Sequence, residues 1–183
     1  MKYLIMLVIP IIIAATAASC NTKDKLFIDE TIKFPDLRYY NPITDLFEEC
    51  TDTSEYDYTY ISFYGKERCG NCEMKELYKW DSIVEEAKTH DIKLGVRLIY
   101  QIRDYELPFF RESYLYHGNR VPVYLDTEEA FLSANNFIPS DKPTFHTFLT
   151  DSTNKVIIVG DPIHNQAIHK MLEEHIFNNI NYN

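Results

Sequence analysis

Basic charge and cysteine are both scarce in this chain. Its 18 lysines and arginines stand against 28 aspartates and glutamates, a formal net charge of -10 over 183 residues. That sign opposes the neutralisation of phosphates, which excludes nucleic acid as a partner. The 14 Tyr and 11 Phe therefore read as core and rim packing rather than as a base-stacking surface. Only 4 Cys are present, too few for a small domain stapled by disulfides. There is no internal repeat, and no apolar run is long enough to span a bilayer comfortably. What is present, a hydrophobic fraction of 45% and a length suited to one domain, describes a chain that buries a real core.

The first residues read as a targeting segment. Met1, Lys2 and Tyr3 give a basic start, residues 4–15 are almost wholly apolar, and Ala17, Ala18 and Ser19 have the small side chains of a cleavage site. Cys20 follows directly, so the segment resembles a bacterial lipoprotein signal, with Ala17 where such signals usually carry Leu. The resemblance implies cleavage before Cys20, a diacylglycerol on its sulfur, and a lipid-anchored domain in the cell envelope on the periplasmic or outer face. The competing reading is an ordinary secretory signal with Cys20 a leftover thiol. The expected organisation is a signal peptide over 1–19, the lipidated cysteine with a tether and irregular entry over 20–44, and a folded domain over 45–183.

Within the domain, residues 46–50 are too short a run to separate strand from helical turn. Residues 58–64 are nearly continuous β-branched and aromatic side chains, the pattern of a strand buried on both faces. After a short polar loop, Met74, Leu77, Trp80, Ile83, Val84 and Ala87 recur at helical spacing. That helix ends at 89–91, and residues 93–100 read as a second strand parallel to the first. A helix starting near Pro108, a strand over 121–125, and a short helix over 127–132 capped by Asp126 or Thr127 follow. Residues 145–150 and 156–159 read as an antiparallel hairpin, and residues 167–176 as an amphipathic helix.

The loop between the first strand and its helix carries Cys69-Gly70-Asn71-Cys72. A cysteine at the start of a helix meets unpaired backbone N–H groups and the positive end of the helix dipole, which stabilise a thiolate. This motif, the strand at 122–126 and the run from Thr144 through Asp151 to Gly160 together resemble the thioredoxin-like thiol-disulfide oxidoreductases of the TlpA/ResA type. The likeness covers about residues 58–176. It implies an α/β fold with a central mixed sheet flanked by helices, and thiol-disulfide exchange with Cys69 as the attacking and Cys72 as the resolving thiol. It further implies protein thiols or disulfides as substrates, an envelope electron donor or acceptor, and no cofactor. The chain departs from the family pattern at Arg68, where an aromatic residue usually stands, and at Gly70 and Asn71, where a proline is usual inside the pair. Arg68 places a positive charge beside Cys69 that lowers a thiol's pKa. Pro143 is the candidate for the family's cis-proline, although the usual position falls nearer Phe145.

Other readings are weaker. A metal site needs more ligands than one C-x-x-C, and His164, His169 and His175 read as rim or surface residues, so no metal is expected. Haem attachment is excluded because Glu73, not His, follows Cys72. The alternative function is a non-enzymatic thioredoxin-fold lipoprotein that binds a partner, its disulfide structural or inert. Glu76 and His146 are possible proton relays, with ordinary exposed polar residues the simpler reading. Phe109, Phe110, Tyr114 and Tyr116 suggest an apolar substrate groove, against core packing as the plainer account.

Overall fold

The computed structural model describes residues 27–49, 55–66, 73–119 and 121–178. The expected signal segment, Cys20, Cys50, Arg68, Cys69, Gly70, Asn71 and Cys72 lie outside the described residues. Among the described residues no helix is long and apolar enough to cross a membrane.

The strand of residues 58–64 lies in the interior of the sheet, with a strand on either side, and its unbroken apolar run is buried on both faces. The strands are β1 (Arg38–Asn41), β2 (Leu46–Glu49), β3 (Tyr58–Tyr64), β4 (Leu94–Gln101), β5 (Val123–Asp126), β6 (Thr147–Asp151) and β7 (Val156–Val159). They form one sheet in the order β2-β1-β5-β4-β3-β6-β7. β3, β4 and β5 run parallel. β1 and β6 join them antiparallel at either side, and β2 and β7 are the antiparallel outer strands. The sheet is thus mixed, as expected. Residues 46–49 resolve as a strand because β1 supplies a partner that a four-residue window cannot reveal.

Helices cover both faces. Alternation along β3 sends Tyr60 and Tyr64 to one side and Ile61 and Phe63 to the other. On the first side lie α1 (Tyr78–Thr89), α2 (Leu107–Tyr116) and α4 (Gln166–Leu172), the last continuing as a π-helical turn over Glu173–Phe177. Trp80 of α1 lies 5.4 Å from Tyr60, ring centre to ring centre, and is almost fully buried. α2 starts with Pro108 in its first turn, where the missing N–H is harmless. On the other side, α3 (Ala130–Ala134) stacks Phe131 on Phe63 at 5.5 Å. Of the two candidate caps, Asp126 is the one used: its carboxylate accepts from the Ala130 and Phe131 amides at 2.8 and 3.0 Å.

The expected entry segment is part of the domain from residue 27 onward. Phe27, Ile32 and Leu37 are buried in the second core, each contributing about 1.5–3 kcal/mol by leaving water. Backbone bonds from the Asp29 amide to the Val156 carbonyl and from the Val156 amide to the Glu30 carbonyl lay residues 29–32 along β7. This covers a sheet edge that would otherwise expose unpaired backbone groups. β1 is inserted between β2 and β5, and Arg111 of α2 forms an ion pair with Asp45 in the turn joining β1 to β2. That guanidinium holds the Asp45 carboxyl down at about 2, and burial together with Asp45 pushes the Tyr40 phenol up to about 12. The polar spacing of residues 20–30 hid these contacts, because the apolar anchors are single residues many positions apart.

Candidate redox site

The C-x-x-C motif falls between two described ends. Upstream, β3 closes at Tyr64, followed by buried Gly65 and exposed Lys66; downstream, Glu73 and Met74 are helical. Because β3, β4 and β5 are parallel, their C-terminal ends share one edge of the sheet, the edge at which open α/β sheets place their ligands. β6 is antiparallel, so its start lies at that edge too: Ser62 pairs with Thr147 in register, and their hydroxyls meet at 2.9 Å.

The helix after the motif is interrupted, not continuous as the periodicity predicts. Residues 75–77 form a turn held by tight three-residue bonds, from the Glu76 amide to the Glu73 carbonyl at 3.1 Å and from the Lys79 amide to the Glu76 carbonyl at 3.0 Å. Met74 and Leu77 are buried there, so the apolar spacing survives the break, which is why it reads as one helix. The Asn119 side-chain amide donates to the Met74 carbonyl at 2.9 Å and ties this turn to the loop after α2.

Two polar clusters flank the site. On the β3 side, Lys66 pairs with Glu129 at the start of α3 and holds that carboxyl below its usual range. On the helix side, Glu76 meets His164 of the loop after β7. The imidazole Nε2 is 2.5 Å from Glu76 Oε2, and its Nδ1 is 2.8 Å from Asp161 Oδ2. Hydrogen bonding to Asp161 first, and to Glu76 second, raises the His164 pKa above its ordinary value. Hydrogen bonding to His164 first, and to Lys79 second, lowers that of Glu76. An imidazole held between two carboxylates can store and pass a proton at either nitrogen. Glu76 was legible as a relay candidate. Its partner was not, since His164 is far away in sequence and only the bend at Gly160, with φ +134°, turns the chain back toward the helix.

The remaining candidates separate. Pro143 and Phe145 both lie in a 3₁₀ turn, Pro143–Phe145, immediately before β6 and so at the site's edge of the sheet. No peptide bond among the described residues is cis, so Pro143 sits trans-linked at the first position of that turn. His146 occupies the last position before β6. It is fully buried, its Nε2 lies 2.9 Å from the Pro139 carbonyl, and its ring stands edge-on to Phe63 at 5.3 Å. His146 is thus built into the packing, not an exposed polar residue. Of the proposed groove, Phe110 and Tyr114 belong to the core, while Phe109 and Tyr116 are exposed and line a cleft with Lys75 and Glu112.

This architecture, a central parallel strand leading into a helix with an antiparallel hairpin beyond it, is the thioredoxin-like fold. No family model and no curated relative matches the chain. Solved structures do. Mycobacterium tuberculosis AhpC aligns over 80% of this chain and 96% of its own with a TM-score of 0.53 and 13% identity. The thioredoxin domain of a thiol-disulfide oxidoreductase from Bacteroides vulgatus aligns over 79% and 96% with a TM-score of 0.51 and 12% identity. A candidate DsbE thiol:disulfide interchange protein from Chlorobium tepidum aligns over 81% and 96% with a TM-score of 0.51 and 19% identity. At such identities the likeness is one of fold.

Proposed function

We propose that the chain is a membrane-anchored thiol-disulfide oxidoreductase of the TlpA/ResA type, exchanging electrons with protein thiols and disulfides through Cys69 and Cys72. The observation that carries the reading is the position of the pair in the chain, between the end of the central parallel strand β3 and helical Glu73. A cysteine at such a strand-to-helix junction has backbone N–H groups and the helix dipole to favour its thiolate.

In the reducing direction, the Cys69 thiolate attacks one sulfur of a substrate disulfide. The substrate S–S bond breaks, one substrate sulfur leaves as a thiolate and takes a proton, and a mixed disulfide joins Cys69 to the other. The Cys72 thiolate then attacks the Cys69 sulfur, releasing the second substrate thiol and leaving a Cys69–Cys72 disulfide. Two electrons have passed to the substrate, and an envelope thiol donor returns them. Run backwards, the oxidised pair accepts electrons from substrate thiols. Arg68, Gly70 and Asn71 tune the pair, with Pro143 and Phe145 bordering the approach.

Insulin reduction in the presence of a thiol reductant tests this reading. Cys69→Ser abolishes the activity, and Cys72→Ser accumulates mixed disulfides. Equal activity of the Cys69→Ser/Cys72→Ser double variant and the parent overturns it, as does a potential for the pair well below about −300 mV, the mark of a structural bond.

A further inference from the structure

Away from the redox site, Glu86 of α1 and His169 of α4 converge with Glu173, the first residue of the π-helical turn. Glu86 lies ten residues beyond Glu76 along the same segment, roughly 15 Å at helical rise, so the cluster is separate from the His164 bridge. His169 Nε2 is 3.7 Å from Glu86 Oε2 and 3.5 Å from Glu173 Oε1, and the three donor atoms lie within 4.8 Å of one another.

We infer that Glu86, His169 and Glu173 form a binding site for a divalent first-row transition-metal ion, of which zinc is the type. One nitrogen and two carboxylate oxygens are a donor set that such ions accept. An ion with bonds of 2.0–2.1 Å places its tetrahedral ligands about 3.4 Å apart, close to the two imidazole–carboxylate distances. Adjustment of the third pair asks only for small rotations of glutamates whose side chains are 35% and 44% exposed. The same exposure leaves a position for water, as in zinc sites with three protein ligands.

Charge points the same way. Neighbouring glutamates pair with lysine: Glu85 of α1 with Lys88, Glu76 in the turn before α1 with Lys79, and Glu174 in the π-helical turn with Lys170. Among the described ion pairs, Glu86 and Glu173 meet only His169. A metal-ligating imidazole is neutral, so the ligand set would carry a charge of −2, which a divalent ion cancels.

The scaffold behind the ligands is fixed. Leu172 and Ile176 bury one side of this segment in the core with Ile83 and Ala87 of α1, and His90 stacks on Phe177 at 5.1 Å. Glu173 also begins a π-helical turn, a helix irregularity that recurs at functional sites. The sequence alone reads His169 as a surface residue because its partner Glu86 comes from another helix.

The inference does not depend on the cysteine pair, and its test removes that pair as a competitor. The full-length chain, its thiols alkylated, is titrated with Zn²⁺ by calorimetry and with Co²⁺ by visible d–d absorption. One saturable equivalent is expected, with affinity lowered at least about 10–100-fold in Glu86→Gln and in His169→Gln, and unchanged in Glu174→Gln. Absence of a saturable equivalent overturns the site. So do parental affinity in both Glu86→Gln and His169→Gln, and a loss in Glu174→Gln equal to theirs, which would mark diffuse attraction to an acidic surface.

Discussion

His164 shows how much one side chain can link. Its imidazole joins the loop after β7 to the turn that follows the cysteine motif, and both of its contacts depend on charge. The raised His164 pKa means that its contribution to stability is fully present below the ordinary value of 6.5 and is lost as pH rises through the raised one. The lowered Glu76 pKa means that its contribution is present above the ordinary 4.5 and is lost as pH falls through the lowered one. The bridge is therefore strongest between 4.5 and 6.5. His164→Gln should lower Tm by a few degrees in that window, the deficit shrinking on either side. Both groups are about half exposed, which keeps the effect small. Thermal melts of the two proteins across pH check this, and a deficit that does not vary with pH contradicts it.

At the scale of elements, the joints decide more than the rods. β3 and β4 were legible from their long apolar runs, β5, β6 and β7 from short apolar runs bounded by turn residues, and the terminal helix from its period. β1 and β2 were not, because their short runs mix charged and apolar side chains and take their identity from a partner across the sheet. The break at residues 75–77 was hidden for the opposite reason, since its buried Met74 and Leu77 keep helical spacing. Gly160 is such a joint: with φ +134° at the end of β7, it turns the chain toward Asp161 and His164. A methyl group there would lie 2.7 Å from Ile168 Cγ1 of α4. Gly160→Ala should cost about 1–3 kcal/mol from backbone strain, plus displacement of α4. At Gly118, also left-handed at φ +68° but with nothing within 4 Å, the same change should cost about 1 kcal/mol. Urea denaturation of the two variants separates the clash from the conformation, and equal losses would remove the role given to the Ile168 contact.

For the whole molecule, the fold class was readable from the order of elements, and the cysteine motif from its own residues. The flanking chemistry was not, because Glu76–His164 and Lys66–Glu129 join residues far apart in sequence. The proposed anchoring rests on the first twenty residues alone, and it has its own check. Globomycin, which blocks lipoprotein signal cleavage, should leave an unprocessed precursor with the chain still starting at Met1; normal maturation would return Cys20 to the free thiols.

The interior placement of β3 bears on the order in which the sheet opens. The strand is held to β4 over seven residue pairs and to β6 over five, so it cannot slide without breaking two ladders together. It is therefore among the last parts of the sheet to open. Under the exchange proposed for Cys69 and Cys72, the sheet would serve as a fixed reference, with rearrangement expected downstream, at the turn of residues 75–77.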